Sequence, residues 1–147
     1  MGAVMGIEDK LHWEDFVAGE TLAYGDQRVT QASIDAYARE FGLAPNVAVA
    51  NGWQVCGWCM RMMVDNFLRR TTSMGSPGID RLRWLLPVRV GDCLSMHQQT
   101  LNKARHPRRR NIGFVNSRFE VYNQRNERVL WMESGGMFLV RHPEAGA

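Results

Sequence analysis

The length, composition and charge of the chain exclude several classes of protein. At 147 residues the chain has room for one ordinary domain, and two cores of half that size would both be marginal. Hydrophobic residues make up 45% of the sequence and charged residues 22%, as in globular rather than disordered proteins. The formal net charge of +3 creates no demand for a nucleic-acid partner. We therefore predict one domain over residues 1–147 that binds no nucleic acid.

Hydropathy and cysteine usage bear on the location of the protein. No apolar run approaches the roughly twenty residues that a membrane-spanning helix needs, and the first ten residues lack a basic region followed by an apolar one. The three cysteines are an odd number in a chain large enough to fold without disulfides. These features predict a cytoplasmic protein with free thiols and no membrane association.

The first half of the chain predicts one strand followed by two helices. Residues 21–29 favour a strand, and residues 31–41 favour a helix that begins after Thr30 as its N-cap and ends at Gly42. Residues 53–68 are apolar at helical spacing on one side, with Cys56 and Met60 among them, and Trp58 makes the other side apolar too. Such a helix is expected to be buried.

The second half of the chain predicts strands. Hydrophobic and polar residues alternate over residues 81–86, and further strands are expected at 93–101, 111–122 and 128–141. Val115, Phe119 and Val121 share one face of the third of these strands. The order of elements indicates an α+β fold, with a curved antiparallel sheet wrapped around the long central helix.

Five strings of residues occur in an order that one protein family shares. They are WEDFVAGETL, VTQASIDAYAREF, ANGWQVCGWCMRMMVDNF, GIDRLRWLLPVRVGDCL and FEVYNQRNERVL. Together they resemble the MaoC-like dehydratases and (R)-specific enoyl-CoA hydratases of the hot-dog superfamily. The resemblance implies a hot-dog fold, an acyl-CoA thioester as substrate or ligand, and a homodimer or a larger even-numbered homo-oligomer. It implies no cofactor and no metal.

The catalytic residues of that family have no counterpart in this sequence. The family's hydratases use an Asp and a His between the two helices, in a stretch that resembles Asp-x-x-Pro-x-His. Water addition needs a base, an acid and a site for the oxyanion. Here residues 42–51 hold no acid or base, because Asn46 and Asn51 are amides. Either the stretch is deleted in a non-catalytic homologue, or a mobile loop is missing from the sequence as it stands. We predict no catalytic residue.

The start of the central helix is the predicted binding site. By resemblance, the backbone N–H near Gly52 points at the thioester carbonyl, and the N-terminus of the helix supplies positive potential there. Alternatively, Gly52 merely lets the chain turn into a tightly packed helix. We predict that the thioester lies beside Gly52, Trp53 and Gln54.

Two further motifs have simple structural explanations. Cys56 and Cys59 form a Cys-x-x-Cys motif, but strands rather than alternating strands and helices follow it, and no second ligand pair for zinc is present. The basic cluster from Lys103 to Arg110 fits a solvated hairpin loop, with capture of coenzyme A phosphates as the functional alternative.

Three hypotheses about function remain open. The first is an acyl-CoA-handling protein related to enoyl-CoA hydratases, active only if the missing Asp and His exist. The second is a non-catalytic subunit that binds acyl thioesters or a partner chain. The third, a hot-dog thioesterase, needs a carboxylate on the central helix, where Asp65 is the only one and lies near the wrong end.

Overall fold

The computed structural model describes residues 4–146, which form a five-stranded antiparallel sheet and two α-helices. The elements are β1 (Thr21–Arg28), α1 (Gln31–Phe41), α2 (Gly52–Asn66), β2 (Gly78–Trp84), β3 (Cys93–Arg105), β4 (Ile112–Tyr122) and β5 (Arg128–Leu139). Over these residues, neither helix combines the length and the apolarity that crossing a bilayer requires. The predicted α+β order of elements is confirmed.

The strands lie in the order β1-β3-β4-β5-β2, so β1 and β2 form the two edges of the sheet. On β4, Val115, Phe119 and Val121 all face inward and are buried, which confirms the alternation predicted for this strand. Val55 and Cys59 of α2 belong to the same buried cluster as residues of β3, β4 and β5. The curved sheet therefore wraps around α2 as predicted.

Local chemistry sets both ends of α1. The Thr30 hydroxyl accepts a hydrogen bond from the N–H of Ser33 at 3.1 Å, as expected of an N-cap. Gly42 takes the left-handed conformation with φ 66°, and the N–H of Leu43 donates to the carbonyl of Ala38 at 2.9 Å. This is a closed helix end that suits glycine. Both predicted ends of α1 are confirmed.

The helix α2 is buried on most sides but not on all. Val55, Cys59 and Met62 are buried, whereas Trp53 is 61% exposed and Met60 is 51% exposed. Met60 borders a space between the helix and the sheet, so the sheet does not pack directly against it. The expectation of burial nearly all round is thus wrong for the side of Trp53 and Met60.

The segment before β1 packs against the end of the sheet where β4 begins and β5 ends. The indole N–H of Trp13 donates to the carbonyl of Phe114 at 3.1 Å. Arg141, just after β5, donates to both carboxylate oxygens of Asp15, each at 3.0 Å. Such a bidentate ion pair is stronger and more directional than an ion pair with a single hydrogen bond. It attaches the leading segment to the end of β5.

The pair between Asp15 and Arg141 predicts a dependence of stability on pH. The hydrogen bond from Arg141 holds the pKa of the Asp15 carboxyl below its ordinary value of 3.8. Because the folded pKa is the lower one, Asp15 stabilises the fold above its unfolded pKa, and this contribution is lost as the pH falls through the folded pKa. We expect urea unfolding midpoints to fall more steeply from about pH 4 to about pH 2 in the wild type than in Asp15→Asn.

The control for this measurement is Asp9→Asn. Asp9 is exposed, and within residues 4–146 its carboxylate forms no ion pair. Its variant should keep the steep wild-type slope. Parallel slopes for the wild type and Asp15→Asn would contradict the assigned role of Arg141.

Candidate functional site

Two cavities adjoin α2. The first, of about 580 Å³, lies between the start of α2 and residues 84–88, which comprise the last residue of β2 and the four residues after it. The second, of about 500 Å³, lies between α2 and the concave face of β4 and β5. Gly52 borders the first cavity, and Cys56 and Met60 border the second. Residues four apart share one side of a helix, so both cavities follow the same side of α2.

The indole of Trp84 covers the start of α2. Its N–H donates to the carbonyl of Gly52 at 2.9 Å, and its ring packs edge to face on Trp53, with 5.2 Å between ring centroids. A Cβ atom at position 52 would lie 2.8 Å from the Trp84 ring. Only glycine permits this close approach, so Gly52 has a packing role whatever it binds.

The backbone donors at the start of α2 are partly used already. The N-cap residue Asn51 accepts a hydrogen bond from the N–H of Trp53 through its Oδ1, at 2.9 Å. In the described part of the chain, the N–H groups of Gly52 and Gln54 have no acceptor. These two N–H groups are therefore the donors that a ligand oxygen could use.

The side chain of Gln54 joins the two helices. Gln54 is 7% exposed, and its Nε2 donates to the carbonyl of Ser33 in α1 at 2.9 Å. Its Oε1 is buried and has no hydrogen-bond partner within residues 4–146. Of the three predicted binding residues, Gly52 and Trp53 line the first cavity, whereas the side chain of Gln54 lies between the helices.

No acid or base stands at either cavity. The loop from Leu43 runs directly to α2, and the N–H of Ala50 donates to the carbonyl of Val88 at 2.8 Å. All lining residues of both cavities in the described part of the chain are apolar or neutral. The four histidines lie elsewhere: His12, His97, His106 and His142.

The sequence matches no protein-family model and none of the curated proteins. Solved structures do resemble it. A monoamine oxidase regulatory protein from Archaeoglobus fulgius has a TM-score of 0.80 and 20% identity, over 92% of this chain and 98% of its own. A MaoC-like dehydratase from Rhodospirillum rubrum has a TM-score of 0.74 and 25% identity, over 89% and 98%.

A third structure, the R-hydratase PhaJ1 from Pseudomonas aeruginosa, has a TM-score of 0.68 and 18% identity, over 88% of this chain and 86% of its own. The chain has the hot-dog fold. Its structural neighbours are MaoC-like dehydratases and (R)-hydratases, as the five sequence strings predicted.

The second cavity of this hot-dog chain was not predicted from the sequence. Its walls are mostly apolar, with Met60, Met132 and Phe138 among them, but Ser117 and Ser134 also line it. The sequence did contain a signal, because Ser117 occupies an inward position of β4 between Val115 and Phe119. Which element faces that position depends on the path of α2 across the sheet.

The two cysteines of α2 are not suited to redox catalysis. Burial raises the pKa of the Cys59 thiol to about 12 and also raises the pKa of Cys56. A reactive thiol needs the opposite shift, because the thiolate is the nucleophile. Both cysteines are free, as predicted.

The basic cluster lies at the far end of the hot-dog sheet from the first cavity. Lys103 and Arg105 belong to β3 rather than to a loop, and the ammonium of Lys103 donates to the carbonyl of Trp13 at 3.1 Å. β3 begins near Val88, which borders the first cavity, and Lys103 lies ten positions beyond Cys93, about 33 Å along the strand. This separation favours a structural role for Lys103 over phosphate capture beside Gly52.

The carboxylate of Asp65 is engaged at the other end of α2. Its oxygens pair with Arg61 at 2.7 Å and Arg69 at 3.5 Å. Thirteen residues separate Asp65 from Gly52, which is about 20 Å along the helix. A thioesterase mechanism at the start of α2 gains no carboxylate from this helix.

Proposed function

We propose that this chain binds acyl thioesters as a single hot-dog domain, in the cytoplasm, without hydrating them by itself. The observation that carries the proposal is the short loop after Gly42, which leads into α2 beside a cavity but brings no acid or base to it. From the closed end of α1 at Leu43 the chain passes to α2 without a counterpart of the family's catalytic stretch. Binding and catalysis are thereby separated in this chain.

The proposed ligand follows one side of α2. Its thioester carbonyl accepts hydrogen bonds from the N–H groups of Gly52 and Gln54, which the positive end of the helix dipole reinforces. Its acyl chain then passes Cys56 and enters the second cavity beside Met60. The unassigned donors at the helix start and the position of both cavities along one side of α2 support this placement.

The test is an assay of crotonyl-CoA hydration together with a titration of dodecanoyl-CoA, on protein of verified intact mass. We expect dodecanoyl-CoA to bind saturably, and crotonyl-CoA to be hydrated no faster than in buffer. General acid–base catalysis contributes about 10²–10⁴-fold, and residues 4–146 place no acid or base in the lining of either cavity. Robust hydration would refute the proposal, and so would a failure of dodecanoyl-CoA to bind.

A matched pair of variants tests the path of the acyl chain. Cys56→Phe places a ring where the second cavity begins, and we expect it to weaken dodecanoyl-CoA binding about tenfold or more. Cys93→Phe makes the same change outside both cavities and should leave binding unchanged. Melting temperatures show whether both variants fold.

We also propose that the protein is a homodimer, or a larger even-numbered assembly, that pairs through β2. This edge strand is exposed along nearly its whole length, and Ile79 and Trp84 are 49% and 44% exposed. β2 lies at the edge of the sheet, and an exposed edge strand invites pairing with another chain. Two copies of β2, paired antiparallel about a two-fold axis, would cover these side chains.

Sedimentation at micromolar concentration tests the assembly. We expect a dimer or larger even-numbered species for the wild type, and a shift toward monomer for Ile79→Lys, because a charge replaces an apolar side chain that pairing would cover. Ile7→Lys, at a position 58% exposed and outside the sheet, should sediment like the wild type. A monomeric wild type would contradict the proposal.

A further inference from the structure

The concave face of the sheet carries a row of hydroxyl groups. Thr100 of β3 pairs with Ser117 of β4, and Ser117 pairs with Ser134 of β5, so the three side chains lie side by side on three neighbouring strands. On β4 the inward neighbours of Ser117 are Val115 and Phe119, which are apolar and buried. A stripe of hydroxyl groups therefore crosses three strands between apolar neighbours on β4.

Ser117 is the member of this row that is open to a ligand. It is 6% exposed and lines the second cavity, yet within residues 4–146 its hydroxyl makes no hydrogen bond. The hydroxyl of Ser134, by contrast, donates to the carbonyl of Gly78 at 3.0 Å. Because this hydroxyl is open to the cavity, water satisfies it in the free protein, but an apolar chain that displaces the water would leave it unpaired at a cost. The cost is offset if a bound molecule supplies the partner.

The cavity wall formed by α2 indicates that the rest of the ligand is apolar. From α2, Cys56, Met60 and Met63 face the cavity with no charged group among them, and the wall from Cys56 to Phe67 extends about 16 Å along the helix. A long apolar chain fits such a wall. The same chain must carry an oxygen where it passes Ser117, or that hydroxyl stays unpaired.

We propose that the second cavity binds an acyl chain that carries a hydroxyl or keto oxygen well beyond carbon 3, and that this oxygen hydrogen-bonds to the Ser117 hydroxyl. The inference rests on the proposed function, in which the thioester lies at Gly52. The cavity begins at Cys56, about 6 Å further along the helix. Val115, two positions before Ser117 on β4, belongs to one buried cluster with Phe67 just after α2, so Ser117 faces the distal part of the chain rather than the carbons next to the thioester.

The experiment compares dodecanoyl-CoA with its 3-hydroxy and 10-hydroxy derivatives by calorimetric titration of the intact protein. We expect the 10-hydroxy ester to bind about three- to tenfold more tightly than the plain ester, as one neutral hydrogen bond allows. Ser117→Ala should abolish this preference by weakening only the 10-hydroxy ester. Ser117→Thr, which keeps the hydroxyl, should retain the preference.

The matched control is Ser95→Ala. Ser95 is on β3 outside both cavities, so its variant should keep the wild-type preference. Equal binding of plain and 10-hydroxy esters, a preference for the 3-hydroxy ester alone, or an unchanged preference in Ser117→Ala would each overturn the inference while acyl binding stands. Failure of all three esters to bind would overturn the proposed function as well.

Discussion

Replacing Leu94 with alanine is expected to lower the free energy of unfolding by about 2–5 kcal/mol, the usual cost of truncating a buried leucine. Leu94 is 0% exposed on β3 and belongs to the main core cluster with Cys59 of α2 and Val121 of β4. Helix and sheet both contact this part of the core, so neither can move in to fill the space without losing other contacts. A cavity therefore remains.

Urea unfolding of Leu94→Ala and Leu101→Ala measures this effect on a single strand. Leu101 also lies on β3 but is 37% exposed, and its truncation should cost less than about 1 kcal/mol. Similar losses in the two variants would contradict the assignment of inner and outer faces of β3.

Replacing Gly52 with alanine should cost about 1–3 kcal/mol, because the new methyl group overlaps the Trp84 ring. The ring must move away, and it then loses its hydrogen bond to the Gly52 carbonyl and its contact with Trp53. Since the same ring borders the first cavity, we also expect weaker binding of dodecanoyl-CoA.

Gly57→Ala is the matched control in the same helix. A Cβ atom at Gly57 meets no atom within 4 Å, so this variant should gain about 0.5–1 kcal/mol from helix propensity. Opposite signs of the two stability changes are the expected result, by urea unfolding under one set of conditions. An unchanged stability of Gly52→Ala would show that Trp84 does not hold the helix start.

Features that depend on neighbouring residues were predicted from the sequence with correct boundaries. The N-cap at Thr30 and the left-handed end at Gly42 bound α1, because their chemistry acts within one helical turn. The alternation of residues along β4 likewise predicted that Val115 and Phe119 share the inward face, because successive side chains of a strand point to opposite faces.

Predictions were less accurate where distant residues decide the outcome. β3 was expected to end at Leu101 but continues to Arg105, past a break in register, and Lys103 there is tied to Trp13 ninety positions earlier. Met60 was expected to be buried, but it borders the second cavity and is 51% exposed. Contacts over such separations leave no periodic signal in the sequence.

For the candidate site, the sequence by itself determined the order of elements and the lack of an acid or base in residues 42–51, because both are properties of residue identity. Only the tertiary structure decided that Trp84 covers Gly52 and that Ser117 faces a cavity beside α2. Each of these contacts joins segments more than thirty residues apart, whose meeting depends on how the sheet curves around the helix. Chain folding, rather than local pattern, therefore created the two cavities.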